Sequence, residues 1–395
     1  MPDAARNSAV QPASQAIGTA ERCNMPSSTS RKLEITRPTT HIPPSNRLGF
    51  EVAIICALPI EADAVISLLD EHWEKGTQRY GKAAKDPNAY TAGRIGHHNV
   101  VVVHMPSMGK INAAGAAQGL RSSYQNIQLA LVIGICGAVP QDRRSGREIF
   151  LGDVIISRGL IQYEFGRQYP TVFEAKDSLE GGCGKPPAEI RSILAKLETR
   201  HHRRLLELNT DLLLRGLQAE AETSAYPGPY ADKLFDSSSL HKHRKSCQTC
   251  ESEGSFHICS DAIHNSCEDL GCETDGLVRR TRGKTHARPA GTVEGWSYSP
   301  SIHIGNMGSG DTVMKSAAHR DEVARKYDII GFEMEGSGIC DFFPTLVIKG
   351  VCDYADSHKN KKWQMYAAAT AAATTKAFLE EWRPKAASPV DTNLH

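Results

Sequence analysis

Short apolar runs that break off into turns of small residues constrain this chain more than any other feature. Phe50 to Leu58, Val100 to His104, Leu129 to Ile133, Gly152 to Ser157 with its neighbour Leu160 to Tyr163, Ile302 to Gly305, and Leu346 to Ile348 all read as buried strands. Helical patterns lie between them. Pro59 suits a first helical turn, with Ile60, Ala64, Val65, Leu68 and Leu69 on one face. Ser107-Met108-Gly109-Lys110 opens a second helix, whose small residues Ala113, Ala114, Ala116 and Ala117 allow close approach to a sheet. Tyr90 to Ile95 pairs with Val100 to His104 about the turn Gly96-His97-His98-Asn99. Strands alternating with helices predict an α/β fold: three layers, α/β/α, around a central mixed and largely parallel sheet. A helix over about 362–382 closes it, with Trp363, Tyr366, Ala367, Thr370, Ala371, Thr374 and Phe378 on one face.

Two stretches break this texture. Residues 1–47 are rich in Ser, Thr, Pro and Ala with no apolar period, and are expected to be a disordered tail; 383–395 read as a flexible C-terminal tail. From about 174 to 300, a helix at 187–199 gives way to polar, cysteine-rich sequence with little periodicity. This segment is expected to be an irregular insertion within one domain spanning 48–382, not a second core.

With 395 residues and 40% hydrophobic content, the chain can bury a large core. A net charge of +1 gives no general drive toward nucleic acid or membranes. No apolar run approaches the ~18–20 residues that span a bilayer. The N-terminus lacks a basic-then-apolar signal pattern, and Asp3, Glu21 and Glu34 speak against a transit peptide despite Arg6, Arg22, Arg31 and Arg37. A cytoplasmic protein is expected, in which Cys56, Cys136, Cys340 and Cys352 are small buried thiols. The basic run Arg279, Arg280, Arg282, Lys284 and Arg288 reads as a solvated loop.

The glycine motifs exclude several chemistries. Gly109-Lys110 is not a P-loop, because His104 stands where Gly is needed and Ile111 where Ser or Thr is needed. No Gly-x-Gly-x-x-Gly follows the first strand, and no Gly-x-Ser-x-Gly elbow occurs. The turns at 134–137 and 308–310 offer backbone N–H groups to an anion or a sugar oxygen, and equally suit ordinary strand-to-helix turns.

Three carboxylates remain. Glu61 follows the first strand, Glu335 lies in Gly331-Phe332-Glu333-Met334-Glu335-Gly336, and Asp353 follows a late strand. Each alone suits a helix start. Together, at the ends of predicted core strands where α/β sheets bind ligands, they form a candidate site. Such acids can move a proton and stabilise a developing positive charge, as cleavage at a sugar's anomeric carbon requires. Glu333, two residues before Glu335, is expected to point the opposite way if the strand continues.

A second cluster is Cys247-x-x-Cys250, Cys259, Cys267 and Cys272, interleaved with His241, His243, His257 and His264. These residues could hold a structural zinc ion in a core-poor insertion. The alternative is free thiols or oxidised pairs, since five cysteines leave one over.

The ordered series Val52 to Glu61, Gly134-Ile135-Cys136-Gly137-Ala138, Leu151-Gly152-Asp153-Val154, Ser309-Gly310-Asp311, Glu333-Met334-Glu335 and Asp353-Tyr354-Ala355-Asp356 resembles the nucleoside phosphorylase superfamily. Within it, the chain looks most like 5′-methylthioadenosine/S-adenosylhomocysteine nucleosidases and the fungal phosphorylase-like domains of NACHT and ankyrin-repeat receptors. The resemblance covers about 48–173 and 301–382. It implies that Asp353 protonates purine N7, Glu335 holds the ribose hydroxyls, Met334 packs under the sugar and Glu61 activates water. Glu333, Ile135, Cys136, Gly137, Ser309 and Val313 complete the implied substrate wall. It also implies a small nucleoside substrate, no cofactor for the chemistry, and a homo-oligomer. Where phosphorylases grip phosphate with arginines, this sequence has Val132 and Ile135, so hydrolysis is expected over phosphorolysis. The base-stacking aromatic is replaced near Val313 and Met314. A phosphorylase, or a sensing module without turnover, are the alternatives.

Overall fold

The computed structural model describes residues 41–73, 80–176, 184–220, 224–244, 247–251, 258–272, 276–280 and 299–385. Most of the expected N-terminal tail, His257, and Arg282 to Arg288 of the basic run lie outside these residues.

The apolar runs form the strands β1 (Val52–Cys56), β4 (His98–His104), β5 (Leu129–Ala138), β6 (Val154–Ile161), β9 (Ile302–Ser309) and β11 (Thr345–Asp353). Shorter strands are β2 (Glu71–His72), β3 (Ala89–Ile95), β7 (Gly166–Gln168), β8 (Phe173–Ala175) and β10 (Ile329–Glu333). Nine of them make one sheet in the order β10-β9-β6-β11-β5-β1-β4-β3-β2. The pairs β1–β4, β1–β5, β5–β11, β6–β9 and β9–β10 are parallel, whereas β6–β11, β3–β4 and β2–β3 are antiparallel. The sheet is therefore mixed and largely parallel. Strand β10 also pairs antiparallel with β5, Phe332 opposite Gly137, so one half of the sheet curls back on itself. That closure brings the end of β10 to the ends of β5 and β11.

The β1 residues are all buried and the closing helix Gln364–Glu381 is buried along most of its length, as expected of elements sandwiched in a layered core. Helix α1 (Pro59–Ile66) starts with proline at its first position, and α2 (Lys110–Ser123) turns Ala113, Ala116 and Ala117 inward. The runs at 152–157 and 160–163 form one strand, β6, whose register shifts between Ser157 and Gly159.

Beyond α3 (Ala188–Leu197), the segment read as aperiodic forms a second helix, α4 (Arg200–Glu220). Leu206, Thr210, Leu214 and Leu217 make a helical stripe that is buried in the main core, and the Thr210 hydroxyl donates to Thr374 of the closing helix at 3.4 Å. Charged residues on its other face hid this stripe from inspection. Farther along, Phe235, Ala262, Leu270 and Cys272 form a small separate cluster. Cys340, expected to be a free thiol, is disulfide-bonded. No helix among the described residues is long and apolar enough to cross a membrane.

Candidate active site

Four strand ends and one loop line a single cleft. Its walls include Leu58 and Glu61 after β1, Ile135, Cys136 and Gly137 of β5, Phe332 to Glu335 around the end of β10, Cys352 and Asp353 at the end of β11, and Ala355 and Lys359 after it. Met108 and the loop residues Thr312, Val313 and Met314 also line it.

Glu61 enters from the first turn of α1 and is 2% exposed. One of its oxygens, Oε2, accepts from the Ala57 and Leu58 amides at 2.9 Å each, and Oε1 accepts from the Ile135 amide at 2.9 Å. A side chain at position 134 would collide with this carboxylate, so Gly134 is what lets β5 run past it. Burial raises the Glu61 carboxyl above its ordinary value; the Lys349 charge opposes the rise and the Glu335 charge adds to it.

Glu335 sits just past β10, where the backbone leaves the strand and takes a helical conformation before the turn Gly336–Ile339. Its Oε2 accepts from Lys349 Nζ at 2.9 Å, and the Gly109 amide reaches Oε1 at 3.3 Å. Lys349 projects from the middle of β11 and is 1% exposed. Burial alone would push its ammonium down, but Glu335, Glu61 and Glu333 together hold it above its ordinary value. Lys349 belongs to none of the motifs read from the sequence. A single lysine within Leu346 to Val351 was the available signal, because an ammonium enters such a strand only when it is paired.

Glu333 does not face away from Glu335. The strand ends at Glu333, and its side chain turns back so that Oε2 accepts from the Glu335 and Gly336 amides at 2.9 and 2.8 Å. Burial, then the charge of Glu335, raises its carboxyl. Ser309 is fully buried behind this turn and bonded to Ser337 (2.9 Å) rather than lining the cleft, which corrects its placement on the substrate wall. Its hydroxyl supports the turn from behind.

Asp353 ends β11. Its Oδ1 accepts from the Ala355 amide at 2.8 Å and lies 3.1 Å from Lys359 Nζ, while the Cys352 thiol donates to Oδ2 at 3.3 Å. Ala355 is left-handed (φ 52°), which reverses the chain and returns Lys359 to the carboxylate. A Cβ at position 137 would come within 2.7 Å of Asp353 Oδ1, so Gly137 also makes room for an acid. Burial pushes the Cys136 and Cys352 thiols up, leaving them neutral wall residues.

Met334 and the half-exposed Val313 both line the cleft, as does Met314. Glu164 anchors the loop that carries Val313, accepting from the Asp311 and Thr312 amides at 2.7 and 3.0 Å. Phe332 adds an aromatic ring to the wall, and no pattern in the sequence marks it for that place. Four carboxylates and the Lys359 ammonium therefore line the cleft, with the buried Lys349 bonded to Glu335 and no arginine among the described lining residues.

The insertion braces the loop behind Asp353. Tyr354 donates to Asp232 at 2.5 Å, and the Trp363 indole donates to the Ala231 carbonyl at 3.0 Å. Arg280, read as part of a solvated run, instead covers the rings of Phe150 and Tyr354 and donates to the Pro140 and Ile149 carbonyls. The five cysteines separate into two groups, one around His243 and one around His241, while His264 is exposed and joins neither. The Cys267 thiol first, then His241 and His358, hold Cys272 well below the ordinary thiol range against the opposing effect of burial.

Strand ends that deliver carboxylates to one cleft of a mixed, partly closed sheet define the class of protein, an α/β domain with a sheet-end site. Residues 51–208 match the model of the phosphorylase superfamily. A nucleotide-binding leucine-rich repeat (NLR)-like protein of Hyaloscypha variabilis is 31% identical over 348 residues, 86% of this chain. The chain spans about 30% of that relative's length. Similar solved structures include a 5′-methylthioadenosine/S-adenosylhomocysteine nucleosidase of Streptococcus pneumoniae, with 16% identity, TM-score 0.45, and coverage of 84% of this chain and 99% of that one. Another is the futalosine hydrolase of Helicobacter pylori, with 12% identity, TM-score 0.43, and coverage of 85% and 99%.

Proposed function

We propose that the domain cleaves the N-glycosidic bond of a purine nucleoside, with water as the nucleophile. The observation that carries this reading is the convergence of Glu61, Glu335 and Asp353 on one cleft without an arginine among its described lining residues. In this mechanism the ribose hydroxyls bond to Glu335, which Lys349 holds in place. Asp353 hands a proton to the departing base, and Lys359 shifts from the carboxylate as the base arrives. As the sugar's anomeric carbon gains positive charge, the buried carboxylates stabilise it. Glu61 activates the attacking water through Oε1, which keeps an acceptor position beyond its bond to Ile135, and takes the proton that the water loses as its oxygen bonds to the anomeric carbon. Met334, Val313, Phe332, Ile135, Cys136 and Gly137 shape the wall, with Glu333 fixing the turn beneath. The substrate partner is a small nucleoside, the compartment cytoplasmic, and the assembly a homo-oligomer.

Incubation with adenosine, inosine, guanosine and methylthioadenosine, with and without phosphate, tests the reading. Free ribose in both conditions supports it; ribose-1-phosphate formed only with phosphate would make the domain a phosphorylase. A second reading is a nucleoside-sensing module without turnover, favoured by the NLR-like relative. Binding of a nucleoside with no release of base would select it.

A further inference from the structure

The two histidine–cysteine groups in the insertion have the spacing of metal ligands. Around His243, the donor atoms of Cys247, Cys250 and Cys259 and the imidazole all lie within 4.8 Å of one another. His243 Nδ1 is 3.4 Å from Cys259 Sγ and 3.8 Å from Cys250 Sγ. Around His241, Nδ1 is 3.5 Å from Cys272 Sγ and 3.6 Å from Cys267 Sγ. Tetrahedral zinc, with Zn–S of about 2.3 Å and Zn–N of about 2.0–2.1 Å, separates its sulfur and nitrogen ligands by about 3.6 Å. Both groups match that edge.

The second group has further marks of a ligand set. His241 Nε2 lies 3.0 Å from the Asn265 carbonyl, so a proton on Nε2 leaves the Nδ1 lone pair facing the two sulfurs. His358 adds a fourth donor. It is 6% exposed, and although its ring acts on the Cys272 thiol, neither ring nitrogen reaches hydrogen-bonding geometry with a partner among the described residues. Its ring stacks on Phe235 at 3.9 Å and stands edge-on to His241 at 5.4 Å. A buried donor or acceptor without a well-formed bond is costly, and ligation of one nitrogen offsets that cost. The ring is not one of the three donors that lie within 4.8 Å of one another, so it must approach them to complete a four-ligand set.

We propose that the insertion binds two zinc ions. One is held by His243, Cys247, Cys250 and Cys259; the other by His241, Cys267, Cys272 and His358. The second ion fastens the insertion to the loop after Asp353, because His358 lies between Ala355 and Lys359 of the candidate active site. The histidines supply the ligands that five cysteines could not divide evenly. Ion binding displaces thiol protons and gives a segment whose own buried cluster, among the described residues, is Phe235, Ala262, Leu270 and Cys272 a reason to fold. This inference does not depend on the activity proposed above.

Metal analysis of the full chain tests it, with two zinc equivalents per chain expected. Cys250→Ser and Cys272→Ser should each retain one. Hydrogen exchange across 353–363 should quicken in Cys272→Ser and stay unchanged in Cys250→Ser. In His358→Ala, one equivalent should pass to a chelator about 10-fold faster or more, the scale on which outer-shell changes already weaken metal sites. Should Cys272→Ser not fold, the visible absorption of cobalt(II)-substituted wild type reads the same question, since two tetrahedral thiolate-bound ions are expected. One equivalent or none in the wild type overturns the two-ion proposal. Unchanged metal release and exchange in His358→Ala overturn the link to the loop.

Discussion

The cleft and the insertion meet at the same loop but are held by different forces. Around the cleft, backbone amides and a buried ammonium fix each carboxylate, and the apolar sheet fixes the amides. The insertion beyond α4 has Phe235, Ala262, Leu270 and Cys272 as its own buried cluster and otherwise relies on polar anchors such as Asp232, Arg280 and the histidine–cysteine groups. A sheet core can carry strained or charged residues at its edge because the remaining strands hold the backbone in place. A segment with so small a core needs specific staples, and each staple is a point at which it can be undone.

The sharpest way to break this comparison is at Asp353. Asp353→Asn is expected to lower the rate of base release by about 10²–10⁴-fold, the usual range for a lost acid, while the melting temperature barely moves. An unaltered rate removes Asp353 from the role of acid. Next in size is Lys349→Met, which strands Glu335 in the core and should destabilise the fold by about 3–5 kcal/mol, read from denaturant midpoints. Pairing it with Glu335→Gln should recover much of that loss; a double variant as unstable as the single one would show that the ion pair is not the cause.

Chelation separates the two regions directly. Metal removal should open 247–272 to limited proteolysis while amides of β1 and β5 keep their slow exchange, because their bonds lie inside the sheet. Equal exposure of both would mean that the insertion supports the whole fold.

The smallest effect is one of pH. Burial raises Asp232 from 3.8 to about 6, against the bond from Tyr354 and the charge of Arg280. The folded chain therefore keeps a proton that the unfolded chain releases. Stability from this group is greatest below the unfolded value and declines as pH rises through about 6. Asp232→Asn should flatten that slope in denaturation series across the interval; a slope of the same size would assign it to other groups.

Much of the sheet was legible because its strands are buried on both faces and so spell continuous apolar runs. Helix α4 was not, since its stripe of Leu206, Thr210, Leu214 and Leu217 includes a threonine and lies among many charges. Asp353, Glu61 and Glu335 stood out because each follows an apolar run. The paths of Glu333 and Ser309 did not, because period-two alternation fails once a strand ends.

Alone, the sequence determined seven of the nine strands of the main sheet (all but β2 and β10), their order along the chain and which acids lie near their ends, since these follow from local periodicity. Only the tertiary structure decided that β10 closes onto β5, that Lys349 meets Glu335, and that His358 turns toward His241. Those contacts join residues far apart in the chain or on different elements. They depend on how the sheet curls and where the insertion docks, and no local pattern encodes either.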